Sequence, residues 1–263
     1  MTNLLCYTAI VILGEVLAIA KNHEIPLDWM WEFIKASQGN SWSAEQISPF
    51  IFDGSYDYSC SLQIAVKDTG LTVKLADEFN VPLPLGKIVE ARYRQAGQKY
   101  KLSDNYIIVT RLAEEENNLE LRIPGFTAPS PYGINRDYIY AGEFVKDAFG
   151  RIKPQPYQVS YERPKQKLED DLEEISQVLT ELMAYINYLI LQEAYMLGEK
   201  IGLSRDLLVK VIRWGCGNSW VSDNESDYNP DDRIVAKIKN YNFGKKTKIA
   251  TINQIVDFLE KSK

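Results

Sequence analysis

Two stretches of the chain end in the same four residues, Gly-Asn-Ser-Trp: EIPLDWMWEFIKASQGNSW (residues 24–42) and IGLSRDLLVKVIRWGCGNSW (residues 201–220). Residues 15–42 align without gaps with residues 193–220 at an offset of 178 (220 − 42), and 7 of the 28 aligned positions are identical. Besides the shared four residues, the identities are Glu15/Glu193, Asp28/Asp206 and Ile34/Ile212. A constant offset over two helical stretches, each ended by glycine, predicts a helical unit that is present twice.

Most of residues 3–117, which include the first of these stretches, is predicted to be helical. The apolar run of the first predicted helix meets Gly14 and Glu15 before it reaches the roughly 18 apolar residues that a membrane-spanning helix needs. We therefore expect a buried core helix and no membrane. Pro26 lies at the start of the second helix, where a missing N–H costs little, and Pro49 should interrupt the third. The predicted helices of this half are 2–22, 25–37, 43–54, 59–80, 81–98 and 102–116.

The character of the sequence changes between residues 122 and 165, which hold six of the eleven prolines and many tyrosines and phenylalanines. That aromatic content predicts an ordered connector and not a flexible spacer. Helices are predicted again over 166–202, 204–215 and 247–262. We expect an all-α protein: a first helical domain at 1–121, a connector at 122–165, and a diverged or truncated second copy at 166–263.

The composition excludes several classes of function. A net charge of −6 and a pI of about 5.1 predict no nucleic-acid partner. The three cysteines show no metal-binding spacing, and their odd number is typical of a reduced, cytoplasmic protein. His23 is the single histidine and lies near the end of the first helix, so His-based triads and most zinc sites are excluded and no metal is expected.

Three segments of the first half resemble the β-hydroxyacid dehydrogenases, the group around 3-hydroxyisobutyrate dehydrogenase with 6-phosphogluconate dehydrogenase as a more distant relative. GEVLAIAKNHEIPLD is similar to a helix pair of that family, and KLSDNYIIVTRL is similar to the start of its last helix, with Asp104 at the aspartate position. SLQIAVKDTGLTVKLADEFNVPLPL carries the family's Lys-Asp helix and its Pro-x-Pro loop, as Lys67, Asp68, Leu71, Pro82 and Pro84. The resemblance covers residues 3–117 well and 180–222 weakly.

The resemblance implies tandem helical domains like the C-terminal domain of 6-phosphogluconate dehydrogenase, and NAD or NADP as cofactor. It implies that Lys67 contacts that cofactor, since a lysine is a long cationic arm that can enter a cleft. Asp68 and Asn3 are expected in the substrate pocket or supporting it. Cys60 is expected there too, because it lies where the family usually has a phenylalanine, seven residues before the lysine. For Ser41 we expect a helix cap within Gly-Asn-Ser-Trp, with a substrate contact as the alternative.

Two features of the family are missing from this sequence. The family's catalytic lysine lies one turn before the position that Asn3 occupies. That lysine position falls before Met1, so no catalytic residue is assigned. In the second half Glu181 stands at the position of Asn3, and no Lys-Asp pair follows at the expected place. The sequence Gly215-Cys216-Gly217 is the only Gly-x-Gly and follows a helix, whereas a dinucleotide-binding turn follows a strand.

Two hypotheses follow. The chain is the helical substrate and dimerisation part of an NAD(P)-dependent dehydrogenase whose Rossmann domain comes from upstream sequence or a partner chain. Alternatively, it is a non-catalytic helical assembly module derived from that family. In either case we expect a homo-oligomer or an internal pseudo-dimer.

Overall fold

The computed structural model describes residues 1–58, 60–128, 145–146, 152–153 and 163–261. The helices of the first half are α1 (Thr2–Asn22), α2 (Leu27–Lys35), α3 (Trp42–Phe52), α4 (Leu62–Glu78), α5 (Pro84–Lys99), a 3-10 helix (Tyr106–Thr110) and α6 (Arg111–Asn117). Those of the second half are α7 (Asp170–Lys200), α8 (Arg205–Arg213), α9 (Trp220–Asp223), α10 (Arg233–Tyr241), a 3-10 helix (Phe243–Lys245) and α11 (Ala250–Lys261). Between the halves, β1 (Val145–Lys146) pairs antiparallel with β2 (Ile152–Lys153).

Helix α1 is the central element of the core. Every residue from Leu4 to Ala20 is buried, because helices of both halves surround α1. A helix that is enclosed in this way has no solvent face and is apolar nearly all round. By length and composition α1 could cross a membrane, but 94% of its most apolar 18-residue window is buried inside the fold.

Several helix bounds of the two halves are separated by the same offset of 178: the ends of α1 and α7 (22 and 200), all of α2 and α8 (27–35 and 205–213), and the starts of α3 and α9 (42 and 220). The turn after α1 and the turn after α7 both hold a residue with positive φ, Glu24 (61°) and Gly202 (93°), at the offset of 178 (202 − 24). Asn80 and Asn242, after α4 and α10, also adopt the left-handed conformation (φ 53° and 49°). The chain direction therefore changes by the same means at corresponding places.

The two Gly-Asn-Ser-Trp segments pair with each other. Ser41 and Ser219 form an antiparallel bridge, in which the Trp42 N–H donates to the Asn218 carbonyl (3.0 Å) and the Trp220 N–H donates to the Asn40 carbonyl (2.9 Å). The repeated residues thus form a reciprocal contact at the junction of the two halves.

Glycine is required at both ends of this junction because the backbones approach closely. A Cβ atom on Gly39 would lie 2.6 Å from the Thr180 carbonyl oxygen, and one on Gly217 would lie 2.6 Å from the Thr2 carbonyl oxygen. Thr2 and Thr180 are themselves related by the offset of 178 (180 − 2). Each half therefore packs its glycine turn against the first helix of the other.

Two buried glutamates at equivalent positions also exchange contacts between the halves. Glu15 of α1 accepts from the Thr251 and Ile252 N–H groups (both 2.8 Å) at the start of α11. Glu193 of α7 accepts hydrogen bonds from the first turn of α5, at Leu85 (2.8 Å) and Gly86 (3.0 Å). Because the first N–H groups of a helix have no partner within it, each carboxylate satisfies a helix start in the opposite half.

The structure differs from the sequence-based expectation at several elements. Pro49 does not interrupt α3, which continues to Phe52. Proline inside a helix costs about 3 kcal/mol, which the burial of Phe50, Ile51 and Phe52, at roughly 1.5–3 kcal/mol each, offsets. The helix predicted over 102–116 is instead a turn, a 3-10 helix and α6.

Helix α10 was not predicted, because the polar run SDNESDYNPDD before it reads as a loop and α10 is only nine residues long. The predicted ordered connector lies largely outside the described residues, apart from 122–128, 163–165 and the two strands, which the all-α expectation did not include.

Candidate functional site

Asn3, Lys67 and Asp68 meet where the start of α1 packs against α4. The Lys67 ammonium lies 2.9 Å from Asp68 Oδ1, and the Asn3 side-chain amide donates to Asp68 Oδ2 (2.7 Å). The side chain of Lys67 is 59% exposed and that of Asp68 is 21% exposed. Asp68 therefore orients an accessible cation from one side and is itself held by Asn3 from the other.

The loop before α6 fixes the start of α4 and so the position of this cluster. The N–H groups of Leu62 and Gln63 donate to the carbonyl oxygens of Asp104 (2.7 Å) and Leu102 (3.0 Å). The Asp104 side chain closes the loop by accepting from the Lys101 N–H (3.1 Å). Asp104, which the sequence marked by resemblance, thus acts by positioning α4.

The exposed face of α4 around Lys67 is partly apolar. Ile64 and Leu71, at i − 3 and i + 4 from Lys67, are 40% and 56% exposed. Residues at these spacings lie on one side of a helix. The cation is therefore flanked by apolar side chains that solvent reaches.

Cys60 lies beside this cluster against a group of tyrosines. The Cys60 carbonyl oxygen accepts from the Tyr106 N–H (3.0 Å), and the Tyr7 ring packs against those of Tyr93 and Tyr106, with centroids 5.0 and 5.7 Å away. Burial raises the pKa of Cys60 to about 11. At neutral pH Cys60 is a small neutral thiol and not a nucleophile.

A residue of the second half also reaches the cluster. The Cys216 thiol lies 3.5 Å from the side-chain oxygen Oδ1 of Asn3 and donates to it, so the Asn3 side chain lies between Asp68 and Cys216. Cys216 is not among the site residues predicted from the sequence. The available signal was its position inside the repeated loop, one residue before Gly-Asn-Ser-Trp.

Ser41 lies at the junction of the halves and not in the Asn3–Asp68–Lys67 cluster. Its hydroxyl accepts from the Ala44 N–H (3.1 Å) at the start of α3, and Ser219 caps α9 in the same way by accepting from Ser222. A cavity of about 10 Å³ between Ser41, Leu5 and Cys216 has room for about one water molecule. This geometry is that of a helix cap, and the substrate contact stays a prediction.

The corresponding place in the second half holds an ion pair. Glu181, at the position of Asn3, accepts from the Lys237 ammonium (2.8 Å) and from the Gln177 amide (3.0 Å). Lys237 comes from α10, which the sequence analysis missed. The two halves therefore carry different polar clusters at equivalent places.

Among the site residues described above, Lys67 fits one contact to a nicotinamide cofactor. Lys67 can reach a phosphate or an amide oxygen because its ammonium is accessible. The Gly215–Gly217 turn cannot receive a pyrophosphate, since Gly217 is packed against Thr2. Among the described residues, no three His, Cys, Asp or Glu side chains are grouped so that they could hold a metal ion.

Comparison with known proteins finds similarities in the first half of the chain. Residues 1–112 match the family described as NAD-binding of NADP-dependent 3-hydroxyisobutyrate dehydrogenase. The chain is similar to L-threonate dehydrogenase of Pectobacterium atrosepticum and of Escherichia coli K12, each 38% identical over 72 residues, which are 27% of this chain and 24% of the relative. It is also similar to L-threonate dehydrogenase of Haemophilus influenzae, at 31% identity over 83 residues, 32% of this chain and 28% of that relative.

These matches support the relation of this chain to the β-hydroxyacid dehydrogenase family, and the expected cofactor, NAD or NADP, agrees with the family description. The chain spans about a quarter of the length of the curated relatives it matches. No solved structure matches the chain. Asn3, Cys60, Lys67 and Asp68 all lie within the matching residues 1–112.

Proposed function

We propose that this chain is the helical substrate and dimerisation part of an NAD(P)-dependent β-hydroxyacid dehydrogenase-like oxidoreductase. The cluster of Asn3, Lys67 and Asp68 carries the proposal, because it lies within the residues that match the family and presents an exposed cation at the edge of α4. The Rossmann domain would come from further sequence or from a partner chain.

In this proposal the residues of the cluster bind and position. Lys67 contacts a phosphate or amide group of the cofactor, Asp68 holds the Lys67 ammonium in place, and the Asn3 amide fixes the Asp68 carboxylate. A nicotinamide cofactor supplies the hydride acceptor when it is bound. Cys60, small and neutral, borders the substrate pocket where the family has a bulkier phenylalanine.

We propose the same origin for both halves, with two helical units at 1–121 and 166–263 and a connector at 122–165. Support comes from the constant offset of 178, from the reciprocal pairing of the Gly-Asn-Ser-Trp segments and from the exchanged contacts of Glu15 and Glu193. The second half would then supply internally what a partner subunit supplies in a protein with one copy. Three free thiols fit a cytoplasmic location.

The substrate class proposed is a small β-hydroxy acid. The similar L-threonate dehydrogenases make L-threonate the first compound to test. The same assay, run with NAD and with NADP, measures the cofactor preference.

The first experiment is to purify the protein from its source and measure its intact mass and its stoichiometric partners. We expect a mass above 30.1 kDa or a nucleotide-binding partner, and NAD(P)-dependent oxidation of a β-hydroxy acid by that whole assembly. A lone 30.1 kDa chain that neither binds NADH or NADPH nor turns over such acids would contradict the proposal.

A second candidate function is that of a non-catalytic helical assembly module. The ion pair of Glu181 and Lys237 favours it, because Lys237 neutralises the carboxylate that stands at the position corresponding to Asn3. The many structural contacts between the halves favour it too. The same purification distinguishes the candidates, because an assembly module would come with protein partners and without dehydrogenase turnover.

A further inference from the structure

Cys6 and Cys216 come from different halves of the chain and both lie next to Asn3. Asn3 and Cys6 are three residues apart on α1 and so share one face of that helix, and the Cys216 thiol contacts Asn3 Oδ1 at 3.5 Å. The next residue, Gly217, packs on Thr2 and on Leu5, the residue before Cys6. The turn that holds Cys216 therefore covers the part of α1 that holds Cys6.

The two thiols differ in the way that a reactive cysteine and a resolving cysteine differ. Cys216 is partly exposed, and the neighbouring Cys6 side chain lowers its pKa. Cys6 is buried, and the neighbouring Cys216 side chain together with burial raises its pKa well above the usual value. Cys216 is therefore the less buried of the two residues and the one that ionises more readily, and both properties favour its attack on an oxidant.

We propose that Cys216 and Cys6 form a reversible disulfide when the protein meets hydrogen peroxide. The Cys216 thiolate attacks one peroxide oxygen, the O–O bond breaks, and Cys216 becomes a sulfenic acid while the other oxygen leaves and takes up a proton as water. The Cys6 sulfur then attacks the Cys216 sulfur, the S–O bond breaks, and a second water leaves. The two sulfurs lose two electrons in total, which the peroxide gains, and a dithiol reductant reverses the change.

The disulfide would act on the neighbouring polar cluster. An S–S bond of about 2.0 Å brings the two sulfurs into direct contact, and Cys216 would no longer donate its S–H to Asn3. Asn3, which also holds Asp68 (2.7 Å), would lose one of its two contacts. The bond would also join the two halves covalently. The inference rests on the thiols alone and holds whether or not the proposed dehydrogenase function does.

The test uses the full chain treated with one equivalent of hydrogen peroxide, then alkylated under denaturing conditions and analysed by mass spectrometry. We expect an intact mass before alkylation that is lower by two hydrogen atoms than that of the reduced chain. After alkylation we expect one alkylated cysteine, against three in the reduced chain, and a cross-linked peptide that joins Cys6 to Cys216. Dithiothreitol should restore three free thiols. The oxidised chain should melt about 4–10 °C higher than the reduced chain.

Matched variants separate this pair from the third thiol. Cys60→Ser should form the disulfide as the parent does, whereas Cys216→Ser should form no intramolecular disulfide. Circular dichroism checks that both variants are folded. A cross-link that includes Cys60, a disulfide between two chains, or oxidation of Cys216 to a sulfinic acid without any disulfide in the parent chain would each overturn the proposal.

Discussion

Lys67 shows how one side chain of this protein combines a defined position with access to solvent. Asp68 and, behind it, Asn3 fix where the ammonium lies, while more than half of the side chain stays exposed. An exposed ion pair of this kind contributes little to stability, about 0–1 kcal/mol. Its accessible charge is therefore better suited to a ligand than to holding the fold.

Replacement of Lys67 tests this assignment. In the assembly that contains the nucleotide-binding domain, Lys67→Ala should raise the Kd for NADH or NADPH about 3–10-fold, since one exposed charge contact is worth roughly 1 kcal/mol. Lys74→Ala is the control, because Lys74 is an exposed lysine on the same helix. Fluorescence titration measures both. Equal Kd values for Lys67→Ala and the parent would remove Lys67 from the cofactor site.

Gly39 and Gly217 are the residues at which the junction of the halves tolerates no side chain. Gly39→Ala and Gly217→Ala should each lower the free energy of unfolding by about 1–3 kcal/mol, because the added Cβ meets a backbone carbonyl oxygen at 2.6 Å. Gly70→Ala is the matched control, since nothing lies within 4 Å of its Cβ position in α4. That variant should gain about 0.5–1 kcal/mol. Urea unfolding measures all three, and an unchanged Gly39→Ala would show that the junction can relax.

At the scale of elements, the starts of α5 and α11 depend on carboxylates from the opposite half. Glu193 is 4% exposed, and burial raises its pKa to about 7, although the N–H groups of Leu85 and Gly86 act in the other direction. Burial also raises the pKa of Glu15, against the N–H groups of Ile252 and Thr251 and the nearby Arg92. Burial therefore raises the pKa of both carboxyl groups, and Glu15 differs from Glu193 in having Arg92 nearby.

The raised pKa of Glu193 predicts how stability changes with pH. Because the folded-state pKa of about 7 lies above the ordinary value of 4.5, the folded chain holds a proton that the unfolded chain releases. The free energy of unfolding should fall as pH rises from about 4.5 to above 7, by at most roughly 3 kcal/mol from this group. Glu193→Gln should remove that part of the slope.

Urea unfolding at pH 4.5, 6 and 8 measures the slope in the parent and in Glu193→Gln. Glu199→Gln, which changes an exposed glutamate of the same helix, should leave the slope as it is in the parent. The same pH dependence in Glu193→Gln and the parent would show that Glu193 titrates near 4.5 and that its helix-start hydrogen bonds balance the effect of burial.

At the scale of the whole molecule, the halves are joined by contacts that each half cannot make alone. Without the second half, Glu15 would lose the N–H groups of α11 from which it accepts hydrogen bonds, and α1 would expose the apolar face that packs on α7. Removing the partner of a buried charge costs several kcal/mol. The two halves should therefore fold as one cooperative unit.

Separate expression of residues 1–128 and 163–263 tests this coupling. We expect neither fragment alone to give a monomer with a cooperative thermal transition, and the two together to give a 1:1 helical complex. Circular dichroism and light scattering after size-exclusion chromatography measure the outcome. A folded, monomeric 1–128 fragment would show that the contacts between the halves are dispensable.

The sequence by itself determined the features that depend on neighbouring residues and on family resemblance. The predicted helix over 2–22 coincides with α1, and the ends of α2, α7 and α8 were predicted to within about four residues, because apolar periodicity and glycine stops are local signals. The relation of the first half to β-hydroxyacid dehydrogenases also came from short contiguous segments around Lys67 and Pro82.

Only the tertiary structure decided which distant residues meet. The repeated Gly-Asn-Ser-Trp was visible in the sequence, but its pairing with its own copy was not, and neither was the exchange of Glu15 and Glu193 between halves. The meeting of Asn3, Asp68 and Cys216 was equally hidden. Such contacts join residues 65 to more than 200 positions apart, and they depend on how whole helices pack, which no local pattern encodes.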